Sequence, residues 1–183
     1  LAELLPKNRT LWLVASTHQG DEDIALSAFR EIKKSFPELL LGLVPRHPER
    51  FNSVAKLCTD QGYTLAKRSE KTIVNNQDIW LLDTLGELMA AYALADIVTM
   101  GGSFSQIGGH NPIEPALYKK PIIVGSDMSN FTDILAQLKQ HKAIIQLPLN
   151  EAQNNNHFLA QAVTDLLKNE KASVLLGSQA HQV

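Results

Sequence analysis

An α/β domain, with a parallel sheet covered by helices on both faces, is the fold class this sequence predicts. Three observations predict it. Short apolar runs alternate with segments of helical periodicity along the whole chain. The apolar runs show no clear polar alternation, so their strands are expected to be buried on both faces. The 183 residues suit one well-buried domain and are too few for two full ones. Strand and helix repeated this often imply parallel strands joined by crossover helices, a doubly wound, Rossmann-like sheet.

The elements follow in order. Residues 1–9 read as a linker remnant, and the domain is expected over 10–183. Thr10–Ala15 is strand-like. Asp21–Phe36 carries a helical stripe of Ile24, Ala25, Ala28, Phe29, Ile32 and Phe36. Leu39–Val44 is a second strand. Pro48 opens a helix with the stripe Phe51, Val54, Ala55 and Cys58, stopped by Gly62. Tyr63–Lys67 is a third strand, Lys71–Gln77 a polar loop and Asp78–Leu82 a fourth strand. Leu85, Leu88, Met89 and Tyr92 space a short helix, and Ile97–Met100 is the fifth strand. A Gly-rich segment follows, with a helix starting near Pro112, a good first-turn residue. Pro121–Val124, Asn130–Gln140 and Ala143–Leu147 continue as strand, helix and strand. Asn150–Asn156 reads as a loop, Phe158–Lys168 as a helix, and the tail from Ala172 as its extension.

Composition narrows the function classes. Seventeen basic and nineteen acidic residues argue against a general nucleic-acid binder. No stretch approaches the ~20 apolar residues that cross a bilayer, and the first residues lack the pattern of a signal peptide. The single cysteine, Cys58, lies on a helical stripe and reads as core; no Cys/His spacing suggests zinc, so no metal is expected. Such cysteine usage fits a reducing compartment.

In sheets of this kind ligands bind beyond the carboxyl ends of the strands. After the first strand come Ser16, Thr17, His18 and Gly20, a ligand loop or an N-cap by Thr17 or Asp21. After the second, Arg46 is either a bidentate partner for phosphate or a surface residue, and Arg50 reads as surface or packing. After the fourth, Asp83 or Thr84 with Glu87 reads as a capping box. After the fifth come Gly101, Gly102 and Ser103, then Gly108, Gly109, His110 and Asn111, with Glu114 in the first turn of the next helix. Paired glycines let backbone approach a ligand, and Glu114 either holds a ribose diol or complements the helix dipole. Walker, dinucleotide and Gly-x-Ser-x-Gly patterns do not occur, which lowers nucleotidase, dehydrogenase and hydrolase readings.

Together the ordered motifs STHQGDE, PRHPERF, DTLGEL, GGSF and GGHNPIEPA resemble the C-terminal domain of bacterial Kdo (3-deoxy-D-manno-octulosonic acid) transferases, over about Thr10–Leu147. The resemblance implies the C-terminal half of a GT-B glycosyltransferase that binds CMP-Kdo. It implies an inverting, metal-independent transfer to a lipid A precursor in lipopolysaccharide synthesis, at the cytoplasmic face of the inner membrane. It assigns Arg46 to the phosphate, and Met100, Gly101, Gly102 and Ser103 to the length of the nucleotide. Asn111 and Glu114 fall to ribose or sugar, and His110 with Ser16, Thr17 and His18 to the cleft wall. No catalytic residue is expected in this chain; the general base, acceptor site and membrane contact are expected from a preceding domain, toward which a C-terminal helix would pack. No cofactor is implied. Alternatives are a GT-B UDP-sugar transferase or UDP-N-acetylglucosamine epimerase, and a non-catalytic nucleotide-binding module.

Overall fold

The computed structural model describes residues 1–148 and 154–183. Among the described residues seven strands form one all-parallel sheet in the order β3-β4-β2-β1-β5-β6-β7. They are β1 (Leu11–Thr17), β2 (Leu40–Pro45), β3 (Leu65–Lys67), β4 (Ile79–Leu81), β5 (Ile97–Met100), β6 (Ile122–Val124) and β7 (Ile145–Gln146). The helices are α1 (Asp21–Ile32), α2 (Phe51–Asp60), α3 (Leu88–Leu94), α4 (Ile113–Leu117), α5 (Thr132–Gln140), α6 (Asn155–Lys168) and α7 (Glu170–Gln182).

The strands β1, β2, β4, β5 and β6 are buried along their whole length, which is why their sequences read as continuous apolar runs. Their side chains feed two cores. Leu11, Leu13, Trp80, Val98 and Ile122 pack with residues of α3, α4, α5 and α7. Trp12, Val14, Leu41, Leu43 and Ile123 pack with residues of α1, α2 and α6. Cys58 lies in the second core, and burial pushes its thiol up to about 12. The indole of Trp12 donates to Thr99 Oγ1 at 2.9 Å, so its one polar atom is satisfied inside the sheet.

Several boundaries differ from the sequence expectation for identifiable reasons. The helix expected from Leu85 starts at Leu88 instead. Gly86 holds φ +79°, which no helix contains, and Leu85 is exposed. The capping box expected there does not form. Glu87 pairs with Arg68 and Thr84, while Asp83 accepts from Ser69. The tail does not extend the preceding helix: Asn169 accepts the Ala172 N–H and starts α7 as a separate helix. Asn155 and Asn156 begin α6 rather than lying in a loop, and the rest of the expected loop falls largely outside the described residues. Residues 1–9 are held against the domain: Arg9 donates to the carbonyls of Glu38, Leu39, Asn75 and Gln77, and Leu1 and Leu5 pack on the first core.

One irregularity bears on the site. Ser16 adopts φ +57°, and the β1–β2 register shifts between Ala15 and Thr17. The bulge ends the regular strand and redirects the chain into the loop that follows.

Candidate functional site

Chain connections diverge at β1. From β1 the chain crosses to β2 on one side, while β5 lies on the other. A crevice beyond the carboxyl ends of β1 and β5 is the topological switch point of the sheet, where doubly wound folds bind ligands.

Three loops meet there. The loop after β1 brings His18, the loop after β2 brings Arg46 and His47, and the loop after β5 brings His110. His18 Nε2 and His110 Nε2 lie 2.8 Å apart, with ring planes within 8°. His47 meets the His18 ring edge-on at 5.2 Å between centroids. A direct N···N hydrogen bond holds one proton between two nitrogens, so both cannot carry Nε2–H in this arrangement. Burial, then His18, Arg46 and His47, hold His110 down at about 4. Burial, then His47 and Arg50, also lower His18, against an opposing effect of Glu22. The pair is therefore uncharged at neutral pH, a hydrogen-bonding wall rather than a cationic one. Arg46 is exposed, and its guanidinium makes no hydrogen bond or ion pair among the described residues, so it supplies the free positive charge.

The glycines explain how the histidines come so close. Gly102 sits at φ +69°, and a Cβ there would lie 3.0 Å from the His110 ring and 3.5 Å from His18. A Cβ on Gly101 would lie 2.5 Å from the carbonyl oxygen of Ser16. The first glycine pair is thus required by packing between the two loops, before any ligand is considered.

Other expected site residues are placed as follows. Ser16, Thr17, Met100 and Ser103 are buried. Ser103 Oγ donates to the Met100 carbonyl and accepts from Gly125 N, fixing the turn after β5 to that after β6. The Gly101 N–H goes to the Ala15 carbonyl and the Gly102 N–H to Asp21, so neither is free for a phosphate. Asn111 Oδ1 accepts from Ile113 N at 3.1 Å, a local turn that leads into the short helix α4. Glu114 is half-buried in the first turn of α4, next to the fully buried Tyr92.

Four residues were not legible as part of this architecture. Asp21 Oδ2 accepts from the N–H groups of His18 (2.8 Å) and Gly102 (2.7 Å). Glu22, fully buried, accepts two bonds from Arg50 and one from the Thr17 hydroxyl. Arg50 also reaches the Thr17 carbonyl, so it is a clamp under the first loop and not a surface residue. His47 joins the histidine cluster. In sequence the acids look like ordinary first-turn residues, and their distant partners Arg50 and Gly102 lie 28 and 81 positions away. Among the described residues no group of His, Cys, Asp and Glu side chains is arranged to hold a metal ion, and no helix is long and apolar enough to cross a membrane.

Comparison with known proteins gives this crevice a context. No family model matches the chain. A curated 3-deoxy-D-manno-octulosonic acid transferase of Haemophilus influenzae is 38% identical over 184 residues, covering 100% of this chain and 42% of that relative. The chain thus spans less than half the length of that protein. The crystal structure of the C-terminal CMP-Kdo binding domain of WaaA from Acinetobacter baumannii superposes with a TM-score of 0.88 at 30% identity, covering 96% of this chain and 89% of that one. A C-terminal glycosyl transferase domain (LpcC) from Francisella tularensis, 11% identical with a TM-score of 0.63 over 97% of this chain and 85% of its own, shares the fold. Identity and coverage agree with the order of the loops described above: the chain belongs to the family of 3-deoxy-D-manno-octulosonic acid transferases, in the part represented by their C-terminal domain.

Proposed function

We propose that this chain is the donor-binding half of a Kdo transferase and that the β1/β5 crevice takes the CMP end of CMP-Kdo. The observation that carries the reading is the convergence of three strand-end loops on one crevice, with the free guanidinium of Arg46 at its rim. Arg46 pairs with the phosphate as CMP departs, because a planar fork of N–H donors matches a phosphate and neutralises its charge. His18 and His110 offer neutral hydrogen-bonding groups, and Gly101 and Gly102 let the nucleotide lie close to the backbone. Asn111 and Glu114, at the start of α4, face the ribose or the sugar. Met100 and Ser103 shape the turn beneath them.

Transfer to a lipid A precursor in lipopolysaccharide synthesis needs more than this. A general base must activate the acceptor hydroxyl. That base, the acceptor site and the contact with the cytoplasmic face of the inner membrane belong to the rest of the full-length protein. Metal is not required where Arg46 neutralises the leaving phosphate.

Calorimetric titration with CMP and with UDP tests this reading. CMP is expected to bind more tightly, and Arg46→Ala to weaken it about tenfold or more, the loss of a charge-assisted contact worth at least ~1.4 kcal/mol. Tighter binding of UDP, or Kdo transfer by this chain alone, would overturn it.

A further inference from the structure

Asp21 is an unusual group to find at the head of a helix. Its side chain is 2% exposed, and it does not cap α1: Gly20 holds that position, with no side-chain cap. Instead one carboxylate oxygen, Oδ2, takes two backbone N–H groups, that of His18 in the loop after β1 and that of Gly102 in the turn after β5. These loops carry the two imidazoles that meet at 2.8 Å, since Gly102 lies directly beneath the His110 ring. The other oxygen, Oδ1, is buried, and the hydroxyl of Ser105 lies beside it.

We propose that Asp21 is a positioning residue of the donor site: its carboxylate clasps the His18 loop to the Gly102 turn and thereby sets the spacing of the His18–His110 wall that a CMP donor meets. The inference rests on the donor-site reading above. Burial raises the Asp21 carboxyl to about 6, against the opposing pull of its backbone bonds. The charged and titratable groups around it are Glu22 on the same helix, Arg50 from the segment before α2, and His18 in the bonded loop. The Ser105 hydroxyl can donate to the ionised Oδ1 or accept from the protonated one, so both N–H bonds at Oδ2 persist in either form.

Two substitutions separate the roles. Asp21→Asn keeps an acceptor for both N–H groups and turns an amide N–H toward Ser105. Asp21→Ala removes the clasp. Expected CMP affinities at pH 7.5 are within about threefold of wild type for Asp21→Asn and at least about tenfold weaker for Asp21→Ala, the loss of hydrogen bonds to a charged group. The amide hydrogens of His18 and Gly102 are expected to be protected from solvent exchange in the wild type and in Asp21→Asn. If Asp21→Ala lowers thermal stability while its folded fraction binds CMP like wild type, the role is structural only and the proposal is wrong. If Asp21→Ala does not fold, amide exchange decides: His18 and Gly102 amides that exchange as freely as unbonded ones in the wild type overturn the clasp. Failure of wild-type protein to bind CMP at all would instead count against the donor-site reading.

Discussion

Glu22 buries a carboxylate completely, and three donors from two different loops answer it: both terminal nitrogens of Arg50 at 2.7 and 2.9 Å, and the Thr17 hydroxyl at 2.5 Å. Removing one member of a buried pair leaves the other charge without compensation, at a cost of about 3–5 kcal/mol. Arg50 keeps 21% of its side chain in water, which puts this pair at the lower end. Arg50→Ala is therefore expected to lower the unfolding free energy by about 3 kcal/mol in urea denaturation. A loss below about 1 kcal/mol would show that the clamp is dispensable. At this scale the sequence was partly legible. His18, Arg46 and His110 stood out because polar side chains after apolar runs have few structural reasons to be there. Asp21, Glu22 and Arg50 did not, because acids in a first turn and an arginine one turn into a helix have ordinary explanations that only distant partners displace.

Helix α7 shows how an element outside the crevice supports it. It packs on α4, the helix that carries Glu114, and His181 meets the Ala116 carbonyl at 3.1 Å. The contact depends on Gly177: a Cβ there would lie 2.0 Å from the carbonyl oxygen of Lys119 and 2.7 Å from its carbon. Both are backbone atoms and cannot swing aside. Gly177→Ala gains helix propensity of about 1 kcal/mol but forces α7 outward, an overpacking cost of about 1–3 kcal/mol. The expected result is a net loss near 1 kcal/mol and a thermal midpoint lower by about 2–4 °C, followed by circular dichroism. An unchanged or raised midpoint would mean that the helices do not touch so closely. Periodicity revealed α1, α2, α5 and α6 because each buries one stripe. It extended α3 and merged the last two helices because Gly86 and Asn169 act through backbone conformation and a side-chain cap, which apolar spacing does not register.

Across the whole molecule, a half-buried histidine and a buried carboxyl respond to acid in opposite directions. His110 is held at about 4, below its ordinary value of 6.5. Between those limits the unfolded chain takes up a proton that the folded protein refuses, so acidification through this range removes stability. Asp21 is raised to about 6 from 3.8, so between those limits the folded protein takes up a proton that the unfolded chain refuses, and acidification adds stability. The windows overlap, and the two contributions oppose each other, with the lowered His18 on the side of His110. Wild-type stability from pH 6.5 down to 4.5 is expected to be flatter than that of either single variant. His110→Asn should gain stability as pH falls and Asp21→Asn should lose it, measured as urea midpoints. Parallel profiles for the two variants would refute the assignment. The α/β class and the sheet buried on both faces were readable from the sequence because they follow from apolar pattern and element order. The strand order was not, because it depends on which strands pair across the sheet, and with it went the knowledge that β1 and β5 are neighbours.

The bulge at Ser16 has a consequence for transplanting this loop. A left-handed φ on a residue with a Cβ costs about 1–2 kcal/mol, and here it shifts the pleat by one position between Ala15 and Thr17. Residues beyond it are out of phase with the strand before it. A graft of Thr17–Gly20 onto another parallel sheet, without residue 16 and its irregularity, would turn His18 toward the opposite face. The portable unit is the histidine together with the fault in the strand that aims it.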